Sequence, residues 1–447
     1  MTSLCHPFSF NKCKKTFIYN SFSVKIKKDL KEVLKMTLLA KRSIIKEDKS
    51  NIITLGAIAK EEKKKDPQVV NATIGMLYDE NEKLFAYKSV DKALGLLSTD
   101  EKYAYGSTPG SKDFHDAIKK WVFREYYDEF KDSSRVMATP GGTGALSNTF
   151  ANYLDEGNKA LLPNYMWGNY KQVLYENHQN FMTYKLFNDN GSLDLDDIKK
   201  CMLELKASQG RILLVINDPC HNPTGYSMTE AEWVKLIDMI NEISADGTPV
   251  VLLHDMAYID YSKAGFEFTR KNISLYKKLN DNAMVIMAFS GSKTLALYGV
   301  RIGAQVAVSG SKANLDDFDK ANKFSSRSKW SNSTNLGMNL IVKIINNPEL
   351  KKSFEEELEQ SRKTLIDRAN TFLDESKKCG LVTLPFDCGF FVTIPCNNPE
   401  KVYDYLVKKK IHIIPMGKVV RVTLSAIPLA DCKRLPKIIK EAIDATN

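Results

Sequence analysis

A chain of 447 residues that is 43% hydrophobic and 26% charged can bury a large core, and its length suits two or three domains. It holds no run of about 18 apolar residues, which excludes a helical membrane span. Its formal net charge of +10 comes from 64 basic and 54 acidic side chains, a small excess at this length, and no basic stripe interleaved with aromatics points to nucleic acid.

Residues 1–35 hold eight lysines against Asp29 and Glu32, so much of the excess charge is local to this leader. Two readings stand open. One is a transit peptide, rich in Ser, Phe and Lys but without Arg; the other is an extension or disordered tail, with Met36 as the true start. The eight cysteines, at positions 5, 13, 201, 220, 379, 388, 396 and 432, include no C-x-x-C pair. That spacing suggests neither zinc ligation nor a disulfide framework, and a reducing, cytoplasmic compartment fits it.

Further along, Thr139-Pro140-Gly141-Gly142-Thr143-Gly144 reads as a glycine-rich turn entering a helix, whose first amides can hold an anion. Residues 211–217, 250–254 and 283–289 are nearly continuous apolar runs, the pattern of strands buried on both faces of a parallel sheet. Between the first two, Thr229 and Glu232 form a capping-box signature ahead of Trp233, Leu236, Ile237 and Ile240, which predicts a helix and hence a βαβ unit. The spacing of Phe354, Leu358, Leu365, Ala369 and Phe372 predicts a long amphipathic helix. Residues 381–395 and 411–424 look like strands of a smaller α+β region. The expected division is a leader over 1–35, a segment over 36–82 packing with the C-terminal region, a large domain over 83–345 and a small domain over 346–447.

The chemistry concentrates where the three buried strands end. Asn217 and Asn222 follow the first strand, Asp255 and Tyr258 the second, and Ser290, Ser292 and Lys293 the third. Open α/β sheets bind ligands at the carboxyl ends of their strands. A partly desolvated lysine there is an amine nucleophile toward an aldehyde, and a carboxylate facing a pyridine nitrogen keeps that ring protonated and electron-withdrawing. Asn222 and Tyr258 suit hydrogen bonds to the ring's phenolic oxygen, while Arg301 and the glycine-rich turn suit its phosphate. Taken singly, each segment also fits a common turn or helix cap. Gly291-Ser292-Lys293-Thr294 lacks P-loop spacing, and Gly142-Thr143-Gly144 is an incomplete dinucleotide fingerprint.

In order, TPGGTGAL (139–146), PNYMWGNY (163–170), CHNPTG (220–225), HDMAY (254–258), SGSKTLALYGVRIGA (290–304), SRSKWSN (326–332) and VVRVTLS (419–425) resemble the fold-type I pyridoxal-phosphate-dependent aminotransferases of class I/II. Within them the chain is most similar to the aspartate and aromatic aminotransferase group, from about residue 50 to the C-terminus. The resemblance implies an α/β fold: a large domain with a mostly parallel seven-stranded sheet sandwiched by helices, plus a smaller α+β domain. It implies pyridoxal 5'-phosphate as cofactor, with Lys293 as the Schiff-base lysine and Asp255 as the ring-nitrogen partner. Asn222 and Tyr258 would serve the phenolic oxygen, and Trp167 would stack on the ring. Gly142, Thr143, Ser290, Ser292 and Arg301 would form the phosphate cup, joined by Tyr105 from a neighbouring subunit, for which Tyr103 is a competitor. Arg421 would clamp the substrate α-carboxylate and Arg327 of the other subunit a side-chain carboxylate, with Trp167 and Asn222 also bordering the substrate.

Two departures are notable: Tyr170 stands where the group usually has His, and Thr73 where it has Gly. The implied activity is transfer of an amino group from aspartate or an aromatic amino acid to 2-oxoglutarate by a ping-pong mechanism. Partners are then amino acids and 2-oxo acids and a second copy in a homodimer, with no nucleic acid, membrane or metal. The alternatives are a β-lyase or decarboxylase on the same cofactor, a transaminase for other amino acids, or a sensor domain that only binds the cofactor.

Overall fold

The computed structural model describes residues 37–44, 46 and 51–446, so the leader expected over 1–35 lies outside the described residues. The chain divides into two units, Met1–Asn51 and Ile52–Asn447. In the first, a three-residue 3-10 turn spans Lys41–Ser43 and buries nothing. Among the described residues no helix is long and apolar enough to cross a membrane.

The second unit carries twelve described strands, in chain order β1 (Val70–Asn71), β2 (Ser134–Thr139), β3 (Lys159–Pro163), β4 (Asn180–Tyr184), β5 (Ile212–Asn217), β6 (Val250–Asp255), β7 (Ala283–Ser290), β8 (Gly303–Val308), β9 (Phe391–Pro395), β10 (Ile411–His412), β11 (Ile414–Met416) and β12 (Val419–Thr423). Seven of them form one sheet in the order β2-β8-β7-β6-β5-β3-β4. Only β8 runs antiparallel to its neighbours β2 and β7, and every other pairing in that sheet is parallel. The fold is α/β, with helices on both faces of a mostly parallel sheet.

The three apolar runs become the centre of that sheet. Every residue of β5, β6 and β7 is buried. Alternate residues feed two apolar clusters: Leu214, Leu252 and Val285 belong to one face, Leu213, Val251 and Met284 to the other. This two-sided burial is why the runs lack the apolar-polar alternation of a half-exposed strand. The register sets Asn217 beside Asp255 and Asp255 beside Ala288, so the three strand ends lie along one edge.

The helix expected after Thr229 spans Glu230–Ser244, with both capping-box bonds present. The long amphipathic helix spans Pro348–Cys379. The reading of 381–395 as a strand needs correction, since only β9 (Phe391–Pro395) is extended. Before it, the amides of Asp387 and Cys388 donate to the carbonyl of Gly225, and Gly389 takes φ +120°. That stretch folds over the 220–225 loop. β9, β12 and β11 form a three-stranded antiparallel sheet, and β1 pairs in parallel with β10. Around them a third apolar cluster joins Val70 and Ala72 to Phe372, Val392, Val420 and Leu435.

Candidate active site

The strand ends open into a cavity of about 370 Å³. Asn217 closes β5 and ties two segments together: its side-chain amide donates to the carbonyl of Asp255 at 2.8 Å, and its side-chain oxygen accepts the backbone N–H of Asn222 at 2.7 Å. Asn222 is thereby brought over the strand ends, and it lines the cavity with Asp255 and Tyr258.

Asp255 is buried and, among the described residues, makes no ion pair. The Tyr170 hydroxyl donates to Oδ2 at 2.5 Å, and the Ala257 amide donates to Oδ1 at 3.2 Å. Burial pushes its carboxyl above the usual range, and these two donors pull it back. Tyr258 is also buried, and its phenol is raised by burial and by Asp255, against the pull of Arg421.

Lys293 lies on the short helix Gly291–Thr294 that follows β7. Its ammonium donates to the carbonyl of Gly75 and lies 5.0 Å from the Tyr298 ring, 5.1 Å from Phe390 and 5.5 Å from Tyr258. Desolvation first, then the charges of Arg421 and Arg301, push its amine down to about 7. Behind it the Tyr261 hydroxyl donates to the Lys293 carbonyl at 2.9 Å, and the Thr294 hydroxyl donates to buried Asp260 at 2.7 Å. The backbone that carries the amine is fixed from two sides.

At the opposite wall the helix Gly141–Tyr153 begins, presenting Gly142 and Thr143 to the cavity beside Ser290 and Ser292. Its first amides have no intrahelical acceptor. Arg301, at φ +58°, donates to the Ser292 hydroxyl at 2.8 Å. Glycine is required opposite it: Gly141 has φ +70°, and a Cβ there would lie 2.6 Å from Arg301 Nη2. Together these groups make a pocket of anion donors.

Arg421, in the middle of β12, is 3% exposed. One of its terminal nitrogens donates to the Thr73 carbonyl at 2.6 Å, the other reaches the Asn222 side-chain oxygen at 3.5 Å, and Nε has no partner. Burial lowers it to about 10. Among the described residues it faces no carboxylate, an arrangement that favours an incoming anion. Trp167 lines the cavity, its ring edge-on to Tyr170 at 5.6 Å.

Eleven of the residues singled out from sequence thus border one cavity. Tyr105 and Arg327 do not: Tyr105 is 95% exposed, as Tyr103 is at 78%, and exposed Arg327 donates to Ser331 at 2.5 Å. Thr73 borders the site through its backbone, its hydroxyl turned to Asn71. Sequence reasoning missed Ile74, Gly75, Met76 and Phe391, which also line the cavity, and Tyr298, which accepts the Leu77 amide at 2.8 Å. Tyr298 lay inside the 290–304 motif and was open to notice; the others reach the cavity from distant chain with no local signal. Among the described residues no cluster of His, Cys, Asp or Glu is arranged for a metal.

Residues 67–439 match the family described as aminotransferase class I and II. An aminotransferase from Anaerococcus prevotii DSM 20548, known as a crystal structure, superposes with a TM-score of 0.87 at 30% identity, over 92% of this chain and 100% of that one. The aspartate aminotransferase of Salmonella typhi is 26% identical over 320 residues, 70% of this chain and 78% of the relative. An aromatic-amino-acid aminotransferase from Burkholderia pseudomallei, solved covalently bound to pyridoxal phosphate, shares the fold with a TM-score of 0.76 at 19% identity, over 91% of this chain and 100% of that one. With its family matched over most of its length and its strand ends gathered on one cavity, the chain belongs to the class I and II aminotransferases and is a transaminase.

Proposed function

We propose that this transaminase depends on pyridoxal 5'-phosphate carried by Lys293, and that it moves the amino group of aspartate or an aromatic amino acid to 2-oxoglutarate in a ping-pong cycle. The observation that carries the reading is one cavity joining an amine lowered to about 7, a buried carboxylate without a cation and a buried guanidinium without an anion. The donor set fits the cofactor, and the cavity of about 370 Å³ falls within the ordinary range of small-molecule sites.

When bound, pyridoxal 5'-phosphate supplies an aldehyde that condenses with amines and a ring that withdraws electrons from the adjacent carbon. Gly142, Thr143, Ser290, Ser292 and Arg301 would hold its phosphate, Asn222 and Tyr258 its phenolic oxygen, and Trp167 a ring face. Asp255 offers negative charge to the ring nitrogen. Lys293, with an amine near neutrality, is neutral often enough at pH 7 to act as a nucleophile and to move a proton at the substrate Cα. Arg421 receives the substrate α-carboxylate as a two-pronged donor. The apolar wall of Ile74, Met76, Leu146 and Phe391 supports aromatic donors. Tyr105 and Arg327, exposed in one chain, are assigned to the neighbouring site of a homodimer. In the same reading residues 83–345 form the cofactor-binding domain and 346–447 the smaller one, with the 52–82 part of the 36–82 segment packing on the latter, and the enzyme works in the cytoplasm.

The test is incubation of purified protein with 2-oxoglutarate and a panel of amino acids, scoring the 2-oxo acids formed. Aspartate or aromatic donors should yield their oxo acids together with glutamate. Reaction of branched-chain donors alone would refute the substrate assignment, and release of pyruvate and ammonia without an acceptor would mark a lyase.

A further inference from the structure

We propose that Tyr261, backed by Tyr87 and Ser361, is the positioning residue that holds the main chain of Lys293 where its amine can reach the reacting carbon, a role that rests on the assignment of Lys293 made above. A lysine amine sits at the end of a flexible four-carbon stem, so the protein controls its position chiefly through the backbone it hangs from. The turn that follows β6 supplies that control. The Tyr261 amide donates to the Tyr258 carbonyl at 2.9 Å, and the Tyr261 hydroxyl donates to the Lys293 carbonyl at 2.9 Å, beside the Ala296 amide at 3.1 Å. One residue thus joins the turn that carries Tyr258 to the helix that carries the amine.

The hydroxyl is held in turn. It lies 3.1 Å from the Tyr87 hydroxyl, which lies 3.0 Å from the Ser361 hydroxyl, which donates to the Leu358 carbonyl at 2.7 Å. Carbonyls only accept, so the two ends of this chain have a fixed sense: Ser361 gives its hydrogen to Leu358, and Tyr261 gives its hydrogen to Lys293. Tyr87, between them, has one hydrogen for two flanking oxygens; directed at Tyr261, it polarises that hydroxyl and strengthens the bond to Lys293. All three side chains are at most 1% exposed. Burial pushes both phenols up, Tyr87 to about 12, so both stay protonated near neutrality. Ser361 and Leu358 belong to the helix Pro348–Cys379, whose Leu358 and Leu365 pack in the cluster around the large sheet and whose Ala369 and Phe372 pack in the cluster around β9 and β12. The hydroxyl chain therefore ties the Lys293 peptide to a helix shared by both cores. None of the three side chains borders the cavity, so removing a hydroxyl leaves the groups assigned to the cofactor in place while the amine meets its target less often.

The experiment uses the full chain, comparing wild type with Tyr261→Phe, Tyr87→Phe and the double variant, and two probes. Pyridoxal 5'-phosphate reads the condensation, which joins the amine to the aldehyde carbon and releases one water, as the rate of borohydride-fixable uptake on the Lys293 peptide. Pyridoxine 5'-phosphate, with an alcohol in place of the aldehyde, reads binding alone by calorimetry. Tyr261→Phe should slow uptake about three- to tenfold and lower kcat with it, while the pyridoxine 5'-phosphate affinity and the amino-donor KM stay at their wild-type values. Tyr87→Phe should slow uptake about twofold and add nothing to Tyr261→Phe; it carries the test alone if Tyr261→Phe does not fold. Wild-type uptake rates in either single variant, or losses that multiply in the double variant, overturn the Tyr261 assignment alone. Equal losses of uptake and of pyridoxine 5'-phosphate affinity, with a lowered melting temperature, also overturn it and leave a packing residue. Uptake by wild type on another lysine, or none, overturns the assignment of Lys293 and this one with it.

Discussion

Replacing Arg421 by Lys keeps the positive charge and removes the fork. In the folded chain the guanidinium is nearly fully buried, with one nitrogen held by the Thr73 carbonyl at 2.6 Å, another within 3.5 Å of Asn222 and Nε unpartnered. A substrate carboxylate bound by two parallel charge-assisted bonds loses one of them in Arg421→Lys, a cost of about 1.5–3 kcal/mol. That corresponds to a loss of about 10- to 150-fold in kcat/KM. Because amino acid and oxo acid both carry the α-carboxylate, the two half-reactions should lose comparably, which stopped-flow measurement of each half-reaction checks. Arg421→Met adds a second signature: it removes one of the two cations that help hold Lys293 near 7, so the amine rises and the acid limb of the pH profile, below which the amine is protonated and idle, moves up. Undiminished kcat/KM in Arg421→Lys, or a Lys293 titration indifferent to Arg421→Met, would refute the reasoning.

Lys293→Met should stabilise the apoprotein. The amine has its folded value lowered from 10.5 to about 7, so the strain of burying its charge is fully present below pH 7 and fades as pH rises toward 10.5. At about 1.4 kcal/mol per unit, discounted because the cavity opens to water, the gain is about 2–4 kcal/mol at pH 7, measurable by urea unfolding at pH 7 and 9.5. Gly141→Ala places a Cβ against Arg301 at a left-handed backbone position and should cost about 1–2 kcal/mol, with weakened binding of phosphate in calorimetry. Thr229→Ala removes one half of a satisfied capping box and should lower stability by about 1 kcal/mol, leaving turnover unchanged.

What could be read from the chain depended on whether the signal was local. The runs at 211–217, 250–254 and 283–289 emerge as β5, β6 and β7 within one or two residues, because burial on both faces demands continuous apolar sequence. Strand-end placement then brought Asn222, Asp255 and Lys293 to one edge. Other features were illegible for physical reasons. The antiparallel direction of β8 depends on the turn after Lys293, and a short apolar strand looks the same in either direction. Residues 381–390 have strand-like composition, yet the amides of Asp387 and Cys388 serve the Gly225 carbonyl and that of Leu381 the Ser376 carbonyl. Gly75 and Lys293 meet across 218 residues, a contact that no periodicity encodes. The Tyr170 bond to Asp255 joins positions 85 residues apart and was legible only through the resemblance, which sets Tyr170 where the group has the His that supports the ring-nitrogen Asp.

Reductive trapping with borohydride, followed by peptide mass mapping, addresses the anchor itself. Protein incubated with pyridoxal 5'-phosphate should gain the reduced cofactor on the peptide containing Lys293. Attachment instead to Lys329, whose amine burial also lowers, to about 8, or an even scatter over surface lysines, would contradict the account.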